Sequence, residues 1–543
     1  MPFSYWADTI TSVTDVQRRS GRSSITTEKR EMNKKRLNPI MFAGTGSDVG
    51  KSVVAAGFCR IFKQDGYTPA PFKAQNMALN SFATPDGYEI GRAQAVQAEA
   101  AGIPCCTDMN PLLLKPNSDH TSQVVLNGKP HGNQSAYSYF RKEGREELRK
   151  EVNAAFDRLA ARYNPIVMEG AGSVSEINLR ETDLVNMPMA MYAGADVILV
   201  ADIERGGVFA SVYGSIMLMT PQERKHVKGI IINKFRGDAR LFEQGRIMIE
   251  ELCGVPVLGV LPYFKDIHIE EEDSVALGNK NFKAQQGRIN IAVVLLRHIS
   301  NFTDFNVLEQ DPRVHLFYTN NVEELRSADI IILPGSKSTI ADLAEIRKNG
   351  VAQTIIQAHK GGTTVLGICG GFQIMGCEVL DPCHIEGEIE RLPGLGLLPV
   401  STTITQEKIT RQSNFAALPL VHGSCAGGQR EKLSGREYNL KGYEIHMGES
   451  VPFDGQECRA LNLLEDGRED GCFVSNKCMG TYMHGILDNA EFVDWILAPY
   501  AEKCARKEFD YAAYKEEQYN KLADVIRANV DMDKLYKILG RND

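Results

Sequence analysis

Long apolar runs are missing from this sequence. The longest, such as Ile-Ala-Val-Val-Leu-Leu at 291–296, are strand-sized and far short of the ~20 consecutive apolar residues of a membrane span. A secretory core is missing as well. Residues 1–36 are polar, rich in Ser, Thr, Arg and Lys and without periodicity, and read as a disordered leader or as a start-site extension ahead of Met32. The twelve cysteines contain no C-x-x-C pair, and neither Cys105-Cys106 nor Cys472/Cys478 has a histidine pattern beside it. That excludes a disulfide scaffold and fits reduced thiols in a cytoplasmic protein. Neither sign of charge dominates: 61 Lys plus Arg against 69 Asp plus Glu leave −8, so no global attraction to nucleic acid or an anionic membrane is built in. Internal repeats and low-complexity tracts are absent too.

What the sequence does have is length, glycine and alternation. At roughly 150 residues per domain, 543 residues predict two to four domains. Short apolar runs alternate with helical stretches, which predicts parallel sheets covered by helices. In the first half the predicted strands are 39–42, 165–168, 196–200, 228–232 and 255–260. The apolar signal drops between Phe264 and Arg288, where an acidic run at 268–273 is followed by polar, glycine-bearing sequence. A second series follows at 289–296, 330–333 and 363–368, and helical spacing closes the chain at 511–539. The resulting division is a leader at 1–36, a first α/β domain at 37–264, a linker at 265–288, a second α/β domain at 289–500 and a helical segment at 501–543. Both domains are expected to be doubly wound, three-layer α/β/α folds, with ligands at the C-terminal edges of the strands.

The first of those edges carries Gly44-Thr45-Gly46-Ser47-Asp48-Val49-Gly50-Lys51-Ser52, between a strand and a helix predicted over 52–65. That is the context a phosphate loop requires. Backbone N–H groups at the turn and helix start face anionic oxygens, Lys51 reaches the outer phosphates, and the Ser52 hydroxyl binds magnesium. Five residues, not the usual four, separate Gly44 from Gly-Lys. The string G-T-x-x-x-V-G-K-S resembles the dethiobiotin-synthetase-like branch of the P-loop ATPases, whose members phosphorylate carboxylates. The resemblance implies that Glu169, in Val167-Met-Glu-Gly-Ala-Gly172, helps hold magnesium. It also implies that Asn233 reads the adenine and that Lys73 lies near the transferred phosphate. Asp202 and Glu204 stand at another strand edge without an assigned role.

The second domain carries Gly367-Ile-Cys369-Gly370-Gly371 between a strand and a helix, a thiol version of the nucleophile elbow. A helix start lowers the cysteine pKa, and the Gly370 N–H can donate to an oxyanion. A second donor is expected from Leu333-Pro-Gly335-Ser336-Lys337. His484, in Gly480-Thr-Tyr-Met-His-Gly-Ile-Leu-Asp488, is the expected base. Together these resemble class I glutamine amidotransferases, which implies hydrolysis of glutamine at Cys369 and a glutamine-holding role for Gln373. The family places glutamate two residues after the histidine. Here that residue is Ile486, and Asp488 is the candidate for orienting His484.

An ATP-dependent carboxylate activator joined to an ammonia source implies amide synthesis through an acyl phosphate. Longer strings narrow the reading. Phe72-Lys-Ala-Gln-Asn-Met-Ala-Leu-Asn-Ser81, 86–94, 109–116, 201–211 and Gly442-Tyr-Glu-Ile-His-Met-Gly448 resemble the cobyric acid synthase family from about Pro39 onward. The resemblance implies ATP, Mg2+ and glutamine as cofactors and co-substrate. The expected substrate is a corrinoid, adenosylcobyrinic acid a,c-diamide, amidated at its b, d, e and g carboxylates. Lys73, Gln75, Asn76, Asn80 and Arg92, with Gln94, Lys115 and Asn117, could supply the cationic and amide donors such a polyanion needs. The competing readings are a cobyrinic acid a,c-diamide synthase or another ATP- and glutamine-dependent carboxylate amidase, a CTP-synthase-like enzyme, a partitioning ATPase, and a pseudo-amidotransferase using free ammonia. No nucleic-acid or membrane partner is expected, and a homo-oligomer is left open.

Overall fold

The computed structural model describes residues 35–116, 121–135, 144–270, 281–422, 438–503 and 509–540. Most of the leader, Asn117 and the linker stretch 271–280 lie outside the described residues.

Strand Ile40–Gly44 is the centre of the first sheet. It pairs in parallel with Asp196–Asp202 on one side and Ile166–Glu169 on the other. Val227–Phe235 and Val257–Pro262 extend the sheet one way, and Ala70–Phe72 the other, all in parallel. Both faces are covered, which explains why these strands read as unbroken apolar runs. Ile40 and Phe42 face one core, with helix Lys51–Gln64, and Met41 and Ala43 face the other.

The second domain repeats the plan. Ile289–Val294, Ile330–Leu333 and Thr364–Ile368 form the middle of a parallel sheet, with Val314–Thr319 at one side. Cys478–Thr481 continues it in parallel, and Cys472–Ser475 closes it antiparallel. The chain is thus two three-layer α/β/α domains, as its alternation predicts.

Two additions have no counterpart in the sequence reading. Gln75–Met77, Leu112–Pro116, Thr121–Leu126 and Lys129–Ser135 form an accessory sheet on the first domain. In the second domain, long strands Val400–Ala417 and Leu440–Pro452 form an antiparallel ribbon that brings Ile445 and Met447 to the Cys369 cavity.

The C-terminal helical segment holds two α-helices among the described residues. Tyr511–Asn529 and Met532–Ile538 start at Asp510 and Asp531, whose side chains accept from Ala513 and Lys534 N–H groups. Val530 between them pairs with Gly259 on the edge strand of the first sheet. Leu522, Ile526, Leu535 and Leu539 are fully buried in the core of the first domain, so the chain returns past the second domain to finish the first.

Candidate active sites

The phosphate loop lies where the first sheet's central strand ends. Gly50 has φ 92°, a backbone that glycine adopts without penalty, and the helix begins at Lys51. The Lys51 ammonium is buried and donates to the carbonyls of Gly46 and Gly172 at 2.9 and 3.0 Å. Burial lowers its pKa to about 8, against the opposing pull of Glu169. Ser52 Oγ donates to Glu169 Oε1 at 2.7 Å, Lys73 Nζ reaches the same oxygen at 2.9 Å, and Gln97 donates to Oε2 at 2.7 Å. Burial pushes the Glu169 pKa up, but Lys73 and the donors from Gln97 and Ser52 outweigh it and hold it below the ordinary range.

A hydroxyl and an ionised carboxylate side by side form a hard-oxygen donor set that fits magnesium. Among the described residues no group of three or more His, Cys, Asp and Glu is arranged to cage an ion.

Asn233 is buried beside the loop. Its amide nitrogen donates to the Val49 carbonyl at 2.8 Å and so braces the loop, while its oxygen accepts from the N–H of the adjacent Lys234. Asp202 pairs with Lys234 at 3.0 Å and Glu204 with Arg236 at 2.6 Å. Of the substrate candidates, Lys73 stands at Glu169. Asn76 donates to Gln94 at 3.1 Å, and Arg145 approaches Gln75 at 3.5 Å. Arg92 is buried, ion-paired with Glu270 and stacked over Phe82. Asn80 is buried at the contact between the domains.

The second site begins at Cys369. Its backbone (φ 54°, ψ −112°) lies in a region costly for any residue with a Cβ, the strain of a nucleophile elbow. A Cβ on Gly371 would collide with the Leu333 carbonyl, and one on Gly370 would stand 2.7 Å from the Ser336 nitrogen. The two glycines let the elbow press against the strand end that carries Gly335 and Ser336. Gly370 and Ser336, from the two stretches expected to supply the oxyanion donors, are thereby brought close together. Gln373 is buried and fully engaged. It accepts from Thr339 Oγ1 at 3.0 Å and donates to the Met447 carbonyl at 2.9 Å and to Tyr482 Oη at 3.3 Å.

His484 is fully buried beside Cys369. Asp488 is not its orienting partner: Asp304 Oδ2 lies 2.7 Å from His484 Nδ1, and Asp304 Oδ1 accepts the Gly485 N–H at 3.2 Å. Burial lowers the His484 pKa, but the negative charges of Asp304 and Cys369 more than reverse this and raise it to about 10. The sequence reading missed Asp304. The signal was slight: an acidic residue between two phenylalanines in the Phe302–Phe305 turn, all four residues of which are buried.

Lysines and one glutamate close the Cys369 cavity. Lys115 comes from the first domain, while Lys337, Lys408 and Glu386 come from the second. Lys115 and Lys408 both pair with the buried Glu89 of the first domain. Burial, with help from Lys408 and Lys115, lowers the Lys337 pKa to about 7, and burial raises that of Glu386 to about 7. The first domain thus contributes Lys115 to the lining of the Cys369 cavity.

Comparison with known proteins places both halves. Residues 40–275 match the model of the CobQ/CobB/MinD/ParA nucleotide binding domain, and residues 290–492 match that of the CobB/CobQ-like glutamine amidotransferase domain. The chain is therefore an amidotransferase of two fused domains, one nucleotide-binding and one glutamine-hydrolysing. It is 69% identical to a cobyric acid synthase of Bacteroides fragilis over 509 residues, covering 94% of this chain and all of that one. The identity is 68% to the Phocaeicola vulgatus cobyric acid synthase, over 94% of this chain and all of that one, and 48% to that of Salmonella agona, over 92% and 98%. The chain belongs to the cobyric acid synthase family and is a glutamine-hydrolysing ligase.

Proposed function

We propose that this enzyme uses ATP and glutamine to amidate the b, d, e and g side-chain carboxylates of adenosylcobyrinic acid a,c-diamide in cobalamin biosynthesis, in the cytoplasm. The observation that carries the reading is the joined pair of sites: a phosphate loop with Lys51, Ser52 and Glu169, and a Cys369–His484 pair, in a chain alike along nearly its whole length to cobyric acid synthases.

The amidotransferase half works through its own residues. His484 Nε2 takes the Cys369 proton while Asp304 holds Nδ1, and the thiolate attacks the carboxamide carbon of glutamine. The Ser336 and Gly370 N–H groups receive the oxyanion. The imidazolium returns its proton to the departing ammonia, and water then hydrolyses the thioester. Lys337 and Lys408 suit the α-carboxylate of glutamine, and Glu386 its α-ammonium. In the first domain Lys51 steadies the outer phosphates, Lys73 faces the transferred group, and Gln75, Asn76 and Asn80 line the approach of the acceptor. Ser52 and Glu169 would hold magnesium, which when bound neutralises charge on the phosphates. The acceptor carboxylate becomes an acyl phosphate, and ammonia displaces phosphate from it.

The test is mass spectrometry of adenosylcobyrinic acid a,c-diamide incubated with enzyme, ATP, magnesium and amide-15N glutamine. Stepwise gain of up to four labelled amides, absent in Cys369→Ser, supports the proposal. No amidation from glutamine or from ammonium by folded protein overturns the corrinoid assignment.

A further inference from the structure

Asn301 stands between the two sites. It follows strand Ile299–Ser300, is buried, and holds a left-handed backbone (φ 52°, ψ 39°), which asparagine adopts more readily than most residues. Its amide faces two ways. Oδ1 accepts the Ser81 N–H of the first domain at 3.0 Å. A backbone N–H can only donate, so this contact fixes which end of the amide is oxygen. Nδ2 is therefore the end that faces His484 Nε2, at 3.4 Å. One residue on, the Phe302 N–H donates to Asn80 Oδ1 at 3.2 Å. The Asn80–Ser81 segment is also tied inward: Lys115 donates to Ser81 Oγ at 2.9 Å, and the Arg92 N–H donates to the Asn80 carbonyl at 3.2 Å. The segment that leads on from Gln75 and Asn76 thus ends on Asn301, the neighbour of the amidotransferase histidine.

This orientation bears on the charge of His484. A neutral ring with its proton on Nδ1, toward Asp304, offers a bare Nε2 to the Asn301 N–H. An imidazolium has an N–H on both nitrogens, and its Nε2–H then opposes the amide donor. The groups facing His484 are Asp304 from the 302–305 turn, Cys369 from the elbow, the Tyr443 ring stacked at 5.2 Å, and Asn301. Asp304 and Cys369 favour the imidazolium and outweigh burial, which opposes it; the donor end of the Asn301 amide stands on the opposing side.

We propose that Asn301 is a positioning residue that makes proton transfer from Cys369 to His484 depend on how Asn80–Ser81 is seated. While the segment is docked, the amide donor opposes Nε2–H and pulls the proton balance back toward the thiol, against Asp304. When a bound acceptor shifts the segment, the amide leaves Nε2 and the balance moves further toward the thiolate–imidazolium pair: the S–H bond breaks and an Nε2–H bond forms. Ammonia is then released chiefly when a carboxylate is ready to receive it. The inference rests on reading Cys369 and His484 as the glutamine-hydrolysing pair.

The experiment uses the full chain. Glutamate release is measured with and without ATP plus the corrinoid acceptor, and iodoacetamide labelling of the Cys369 peptide is followed against pH. Asn301→Asp keeps an acceptor for Ser81 but places a carboxylate at the donor position. Asn301→Gly keeps the left-handed turn and deletes the amide. Both variants are expected to release glutamate about 5-fold or more faster than the parent without acceptor, and the stimulation by acceptor is expected to fall toward one. In Asn301→Asp the labelling midpoint is expected to move down by about one pH unit. Parent-like stimulation with an unmoved midpoint in either folded variant overturns the relay. Loss of glutamate release in both with an unmoved midpoint also overturns it, since that is the mark of a purely structural role. Cys369→Ser separates the two levels. Glutamate release that persists in Cys369→Ser overturns the nucleophile itself. Its loss there, with parent-like coupling in the Asn301 variants, overturns the relay alone.

Discussion

Asp304 and His484 are 180 residues apart in sequence and 2.7 Å apart in space. The carboxylate that orients the base comes from the turn after strand Ile299–Ser300 of the second domain, not from the residues following the histidine. The same turn donates to Asn80 through Phe302, so the base is held by the element that also meets the first domain.

Removing that carboxylate while keeping its shape should disable the base. Asp304→Asn is expected to lower kcat/KM for glutamine hydrolysis by on the order of 10²–10⁴-fold, because the amide cannot stabilise the imidazolium. Steady-state glutamate release measures this. A loss under twofold would show that another group orients His484.

The same pair makes stability depend on pH. The His484 pKa is raised from 6.5 to about 10 in the fold, so the fold binds the proton more tightly than the unfolded chain. Its stabilising effect is complete below about 6.5 and is lost as pH rises from there through about 10. The melting-temperature gap between the parent and Asp304→Asn should be widest near pH 6 and narrow toward pH 10. A gap that widens with pH would contradict the assignment.

At the elbow, a single methyl group should be enough to do damage. Gly371→Ala would drive Cβ into the Leu333 carbonyl, a backbone atom that cannot turn aside. A destabilisation of about 1–3 kcal/mol is expected in denaturant melts, together with loss of glutamine hydrolysis. Full glutamate release by this variant would mean that the elbow can open without consequence.

In the first site, Lys51→Ala and Glu169→Gln should each lower amidation on the order of 10²–10³-fold whether nitrogen comes from glutamine or ammonium. The second nitrogen source is the informative arm. A defect confined to glutamine would place these residues in the wrong half of the reaction.

Leu522→Ala should cost about 2–5 kcal/mol, since a fully buried leucine is cut back where two helices meet. Urea melts should show the loss in the transition that also releases bound nucleotide. A loss confined to a separate transition of the second domain would mean that the C-terminal helices do not belong to the first core.

The parts of this molecule that were legible in sequence are those with short-range signatures. Strand Ile330–Leu333 has the predicted bounds, and helix Lys51–Gln64 differs from its predicted span by one residue at each end. The phosphate loop and the elbow were visible because glycine spacing encodes a turn locally. The antiparallel ribbon at 400–452 was not, since its long strands alternate weakly and exist through pairing with each other. Asp304, Asn301 and the Lys115–Glu89–Lys408 cluster were invisible for a related reason. Each matters through a partner far along the chain, and nothing in the local pattern names that partner.

The return of the last helices to the first domain also sets the order of synthesis. A ribosome makes the first sheet early, but Leu522 and Ile526, which seal one face of it, emerge only after the whole amidotransferase domain. At roughly 5–20 residues per second, the nascent domain waits on the order of tens of seconds for the side chains that complete the core shared by Phe58 and Ile61 of helix Lys51–Gln64. The half that is written first is finished last.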